Sequence, residues 1–413
     1  MNPVFLALHI RGFMLLLTLL VLTIAVRAHG AGKLRFSRAH NIVYLVVLLF
    51  IVSSGLSSII NNVFQPLIFS LFFAVSALVV LQTEDADACA MVEVASRIFA
   101  VFIVMAAIGV IYRVLGGEPL ITLSNPGGGD NNLYLTTFAN AEKILIRPSA
   151  IYDEPGAFSF YICILVILRS RLGLSLAGSA ALLFGGMLTQ SITHVMFTFL
   201  WFIWALQAGS FRKAAFNRLV FALFFVIAAV VVYHSGVLDW MIKRAEHYYK
   251  DPSIIPRWRA TGNILDALAV NPEGVWFGFD ATCTQRQPDC SGFGENPLTP
   301  LIYGGLFASW PYYLFLLMAL TAPFVSRDGL LLFGAALLLS QRPYLLEFPY
   351  SALFALGFVV WFTPRAHLEP DRKAIPRERG YSIKSLSETM MKKKFFYFPR
   401  KNLEKSNNLS PKE

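Results

Sequence analysis

Mostly apolar runs of 13 to 25 residues, around the roughly twenty that cross a bilayer's hydrocarbon core as a helix, recur through the sequence and dictate its fold class. They fall near 4–26, 41–60, 63–82, 97–115, 155–169, 173–190, 193–208, 217–235, 300–324, 329–341 and 349–363. The first is interrupted by His9 and Arg11, but its run from Phe13 to Val26 is long and no clean small-residue cleavage site follows, so it reads as a retained span rather than a signal peptide. Only 15% of the 413 residues are charged and 56% are hydrophobic, too little charge to coat a soluble globule or sustain disorder. The expected fold is therefore an all-α, polytopic helical bundle of about 11 to 12 spans.

The basic residues orient this bundle. Arg27, Lys33, Arg35 and Arg38, then Arg169 and Arg171, then Arg212, Lys213 and Arg218 all fall on one side of the alternation, which marks it as cytoplasmic. The tail 364–413 lands there too, with 13 basic and 6 acidic residues, and so supplies +7 of the chain's net +10. It reads as a disordered or lipid-associated basic tail following a transmembrane domain over 1–363. The high net charge is thus a topology signal, and nucleic-acid binding is excluded. One inner connection, 83–96, is acidic instead, with Glu84, Asp85, Asp87 and Glu93. Two long connections, 116–154 and 236–299, face outward and must carry the aqueous chemistry.

In the first outer loop, Gly127-Gly128-Gly129 reads as a flexible turn, because no Lys-Ser or Lys-Thr follows to make a phosphate loop. Arg147, Tyr152, Asp153 and Glu154 then sit at the mouth of a span whose first turn is set by Pro155. Ionisable groups so placed usually line a polar cavity, although an Arg147–Glu154 ion pair anchoring the helix end is an alternative. The second loop has two helical patterns. Leu238, Met241, Ile242, Ala245 and Tyr248 form an interfacial face, and Pro256 starts a helix with Arg257 and Arg259 on either side of Trp258. Guanidinium groups at a helix N-terminus suit a phosphate or pyrophosphate, and equally suit snorkelling beside anionic headgroups. Cys283 and Cys290 face an oxidising compartment, where a disulfide is favoured over a metal site. No His/Cys cluster supports zinc, and no cofactor is expected. His194, at the outer end of the seventh span, is a packing residue or a base, and Arg342 lies beside another outer helix mouth.

An arginine before a Glu-Pro-Gly helix start, the stretch from Arg257-Trp258-Arg259 through Asn271-Pro272-Glu273-Gly274 to Gly278, and Glu295-Asn296-Pro297-Leu298 leading into Tyr303-Gly304-Gly305 together resemble the O-antigen ligase and polymerase superfamily. The likeness spans about 140–365 in order and spacing. It implies a GT-C-like glycosyltransferase of the bacterial inner membrane, with a large periplasmic loop and a cytoplasmic C-terminus. The implied donor and acceptor are undecaprenyl-pyrophosphate-linked oligosaccharides, with a chain-length regulator and a flippase as working partners. Arg147, Arg257 and Arg259 match the arginines thought to hold pyrophosphate. Tyr152, Glu154, His194, Asn296, Tyr303 and Arg342 are the expected substrate-binding positions. Where the ligase branch has a histidine before asparagine, this chain has Glu295. That favours a metal-independent polymerase of repeat units, with Glu295 as base at the acceptor, over a ligase that transfers finished glycan to lipid A core or protein. A transporter of lipid-linked glycan is the competing class, but ionisable residues gather in outer loops rather than at midspan.

Overall fold

The computed structural model describes residues 38–62, 64–82, 85–123, 131–141, 146–152, 154–207, 257–279, 296–326 and 328–341. Ten helices are described: α1 (Arg38–Asn61), α2 (Gln65–Gln82), α3 (Asp85–Val114), α4 (Pro155–Arg171), α5 (Leu176–Gly186), α6 (Ile192–Gln207), α7 (Arg257–Val270), α8 (Gly274–Phe277), α9 (Thr299–Val325) and α10 (Gly329–Gln341). Three segments, Asn41–Asn61, Ala88–Val114 and Thr299–Val325, are long and apolar enough to cross a membrane, and four shorter apolar helices accompany them. The chain is thus a multi-pass membrane protein. The expected spans near 4–26, 217–235 and 349–363, and the tail, lie outside the described residues.

Helices α1 and α3 display Leu45, Leu48, Val52, Val101, Val104 and Ile111, each at least half exposed in the absence of lipid. In a bilayer this surface meets acyl chains. Helix α4 has the opposite character. Pro155 at its first position supplies a φ suited to a helix start. Its Phe158, Ile162, Cys163 and Val166 are fully buried, because α3, α5, α6 and α10 all pack on it. At 17 residues α4 is shorter than a standard span, and its surroundings are protein on most sides.

Polar clamps fix the C-terminal end of α4. The Arg169 guanidinium is 3% exposed and donates to Glu93 Oε2 (3.3 Å), Ser96 Oγ (2.7 Å), Ser179 Oγ (3.2 Å) and the Ser175 carbonyl (3.3 Å). These bonds tie α3 and the start of α5 to α4. Arg171 pairs with Asp328 at 2.6 Å, and Trp204 Nε1 donates to the other oxygen of the same carboxylate at 3.0 Å. That joins α4 and α6 to the turn between α9 and α10. The anomalous acidic connection has its reason here: α3 begins at Asp85, twelve residues before the expected span, and Glu93 is the counter-ion of a buried arginine.

The first outer loop departs from the all-α expectation. Four strands, β1 (Ile121–Leu123), β2 (Asn131–Tyr134), β3 (Thr137–Ala141) and β4 (Ile146–Ala150), form an antiparallel meander in the order β1-β2-β3-β4. The β2–β3 turn is tight, with Leu135 at φ 52°, and a register shift falls at Phe138/Ala139. Hydroxyls complete the pairing around this irregularity. The Ala150 amide donates to Thr137 Oγ1 (3.0 Å), and Ser149 Oγ reaches the carbonyls of Phe138 (3.1 Å) and Tyr152 (2.7 Å). Tyr134, Ala139 and Ile146 are buried against Val110 and Tyr112 of α3, so the sheet rests on that helix.

Arg169→Met removes a buried charge that holds three helices together. The expected result is a loss on the order of 3 kcal/mol, read as a lower unfolding temperature in detergent. Arg169→Lys recovers little of it, because one ammonium cannot reproduce the fork.

Candidate functional site

Both groups of expected site residues lie at one end of the bundle. Arg171 at the C-terminus of α4 meets Asp328, just past the C-terminus of α9, so the two helices run in the same direction and their N-termini share the opposite end. The chain's one Asp-x-Asp, Asp85-Ala86-Asp87, begins α3 at the Arg169 end, remote from both groups.

The first group stands where the sheet feeds α4. Arg147 lies in β4, opposite Asn140 in register and half-buried. Tyr152 folds down between α3 and α4. Its ring stacks on Tyr161 at 4.8 Å and on Phe158 at 5.8 Å, and tilts against Phe99 at 6.4 Å. Burial pushes its phenol pKa upward, so the hydroxyl stays protonated and available as a donor. Glu154 is the extended residue before α4; its carbonyl accepts from the Ala157 amide at 3.0 Å, and its carboxylate does not cap the helix. A carboxylate there is stabilised by the helix dipole.

His194 belongs to the packing between α4, α5 and α6. It is fully buried, with Nε2 2.8 Å from the Leu183 carbonyl and Nδ1 3.0 Å from Ser159 Oγ and 3.4 Å from Cys163 Sγ. The carbonyl can only accept, so Nε2 carries the proton and Nδ1 is left to accept from Ser159. Gly186 makes room for the ring: a Cβ there would sit 2.2 Å from His194 Cε1. The His194 ring nitrogens are thus held by groups of α4 and α5.

The second group is built from α7, α8 and the start of α9. Helix α7 begins at Arg257, which places Arg257 and Arg259 in its first turn. Ile264 and Leu268 of α7 pack with Phe279 and Ile302, seating the helix on α9. The α8 turn then meets α9 backbone to backbone. Gly305 adopts φ 57° inside α9, and a Cβ on it would lie 2.3 Å from the Trp276 carbonyl; a Cβ on Gly278 would lie 2.7 Å from the Gly304 nitrogen. The break releases the Ile302 carbonyl, which the Phe279 amide takes at 2.8 Å. Helix α1 seals the joint: Ser57 Oγ lies 2.9 Å from the Phe277 carbonyl and 3.0 Å from that of Gly304, and Asn61 Nδ2 also donates to Phe277. Asn296 is fully buried and shapes the approach to α9, with Oδ1 accepting from the Leu298 amide at 2.8 Å. Tyr303 is 39% exposed on the first turn of α9. Glu295, Arg342, Cys283 and Cys290 lie outside the described residues.

The described residues thus bring Gly278 against the Gly304-Gly305 pair, with Tyr303 beside it and Asn296 at the turn into α9, and place Arg147 in β4 with Tyr152 and Glu154 in the link from β4 to α4. Among the described residues no group of His, Cys, Asp and Glu is arranged to hold a metal ion. Two features went unread in the sequence: the Arg169 clamp and the Ser159–His194 contact. The acidic residues opposite an inner arginine pair were a signal for the clamp; none existed for the second. Comparison with protein-family models, with curated proteins and with solved structures finds no match for this chain.

Gly305→Ala forces a left-handed alanine into the α8 backbone, and should cost about 2 kcal/mol or more. Gly262→Ala is the control. It sits in α7 with open space around its Cβ position, so helix propensity alone predicts a gain of about 0.5–1 kcal/mol. Thermal unfolding of the two variants in detergent, with opposite signs expected, checks both.

Proposed function

We propose that the chain is a membrane glycosyltransferase that polymerises undecaprenyl-pyrophosphate-linked oligosaccharide repeat units, as in O-antigen, capsule or exopolysaccharide synthesis. The reading rests on the resemblance, and one observation supports it most. Gly278 and Gly304-Gly305, which belong to separate stretches of that resemblance, are in backbone contact, with Ile264 and Leu268 of α7 packed beside the same joint and Asn296 shaping the turn into α9. In this reading the end carrying Arg169, Arg171 and Asp328 is cytoplasmic, and the two site groups face the periplasm of a bacterial inner membrane.

The chemistry needs a departing pyrophosphate and an activated hydroxyl. As the C1–O bond of the donor sugar breaks, negative charge grows on pyrophosphate. Arg147, Arg257 and Arg259, the last two aided by the α7 N-terminus, stabilise it. The acceptor sugar hydroxyl attacks C1 and its proton passes to Glu295. Tyr152, Glu154, Tyr303 and Arg342 orient the two glycans, and the buried Asn296 acts beneath them by shaping the turn into α9. Glu295, at the place of the ligase branch's histidine, favours polymerase over ligase. The helix break at Gly305 is a feature that transporters also use, which keeps transport as a second reading.

Alanine at Arg147, Arg257 or Arg259 should reduce polymer formation about a hundredfold per site, with single repeats accumulating on the lipid carrier. Long polymer still on the carrier indicates a ligase instead. Unchanged polymer, with the variants present in the membrane, overturns the assignment. Activity of purified protein in detergent, where no compartments exist, excludes pure transport. His194→Ala should lower stability by about 2 kcal/mol while leaving the activity of each folded molecule near wild type, which separates packing from catalysis.

A further inference from the structure

We infer that the β2–β3 hairpin is a re-entrant element whose tip is immersed in bilayer hydrocarbon. Its partner is the acyl region of the surrounding leaflet, and the sheet therefore does not stand clear of the membrane in water.

The position of the tip is fixed by α3. Between Arg97 and Arg113 this helix contains no charged residue, so the two arginines bracket its most lipid-compatible stretch. Thr136, in the hairpin turn, donates from Oγ1 to the Met105 carbonyl at 2.6 Å. Met105 is midway between those arginines. At a rise of about 1.5 Å per residue, its level is about 12 Å below that of Arg113. A hydrocarbon leaflet is about 15 Å thick, so the turn reaches deep into it. Close approach at Gly109 seats the hairpin against the helix. A Cβ there would fall 2.3 Å from Thr137 Cγ2 and 2.8 Å from the Tyr134 carbonyl.

The hairpin's composition fits that depth. Residues 131–141 carry no charge, Thr137 and Tyr134 are buried, and Leu135 at the tip is 47% exposed. Among the described residues nothing covers this half-exposed leucine, and the exposed Val104 and Ile108 of α3 lie at the same level, so lipid is the surface it meets. Non-helical backbone tolerates such depth only when protein satisfies its polar groups. Here the Thr136 hydroxyl bonds α3, the Thr136 amide reaches the Tyr134 carbonyl at 2.6 Å, and Thr137 Oγ1 accepts from Ala150.

The test uses the wild-type chain in liposomes of phosphatidylethanolamine and phosphatidylglycerol, doped with a phospholipid bearing a diazirine midway along one acyl chain. After photolysis, mass spectrometry should find lipid adducts on the peptide containing Leu135 as well as on α3. Adducts on α3 with none on the hairpin overturn the inference. A second measurement places a spin label on Leu135→Cys, with Cys89→Ala, Cys283→Ser and Cys290→Ser, and compares its accessibility to oxygen and to a water-soluble nickel chelate. Preference for oxygen, as at an Ile108→Cys control, is expected. Preference for nickel, or protection from both by a second copy of the chain, overturns it.

Discussion

Lipid offers a polypeptide no hydrogen-bond partner, so every stretch of this chain that leaves helical geometry must find its partners within the protein. Three places show the solution, each with a different means. At Gly305 the Ile302 carbonyl freed by the break is taken by the Phe279 amide of the preceding turn, and side chains of α1 reach the Gly304 and Phe277 carbonyls beside it. In the sheet, threonine and serine hydroxyls complete a ladder that a bulge interrupts. At the far end of α4, three serines and a glutamate surround a guanidinium that would otherwise be stranded. Small hydroxylated residues recur in all three. Within apolar helices they read as neutral filler, but they are the polar hardware of the fold.

The helices were legible because their signal is local. A run of leucine, valine and phenylalanine fixes a span wherever it occurs, and the expected boundaries at 41–60, 300–324 and 329–341 lie within a few residues of α1, α9 and α10. The start of α3 was missed because acidic residues there look like a loop until Arg169, 76 residues away in sequence from Glu93, is known to pair with that glutamate. The sheet was missed for a related reason. Strands of three to five residues carry little periodicity, and their pairing is decided by the face of α3 they cover.

The candidate site was legible as a set of motifs and illegible as a geometry. Gly278 and Gly304-Gly305 are ordinary turn signals when read singly. Their meaning is that two main chains touch, which no sequence pattern states. Asn296 likewise works inward, with its side chain spent on the turn that begins α9. Tyr152 is anchored by three aromatic neighbours, so its backbone fixes the floor from which Glu154 and α4 depart.

A joint made of main chain places few demands on side chains. Because α8 grips α9 largely through glycines and carbonyls, a residue that projects from the joint, such as the half-exposed Trp276, does not hold it closed. It can be exchanged for another without loosening the loop. Such a surface can be refitted to a different partner while its scaffold is inherited unchanged, so selectivity and stability can evolve independently.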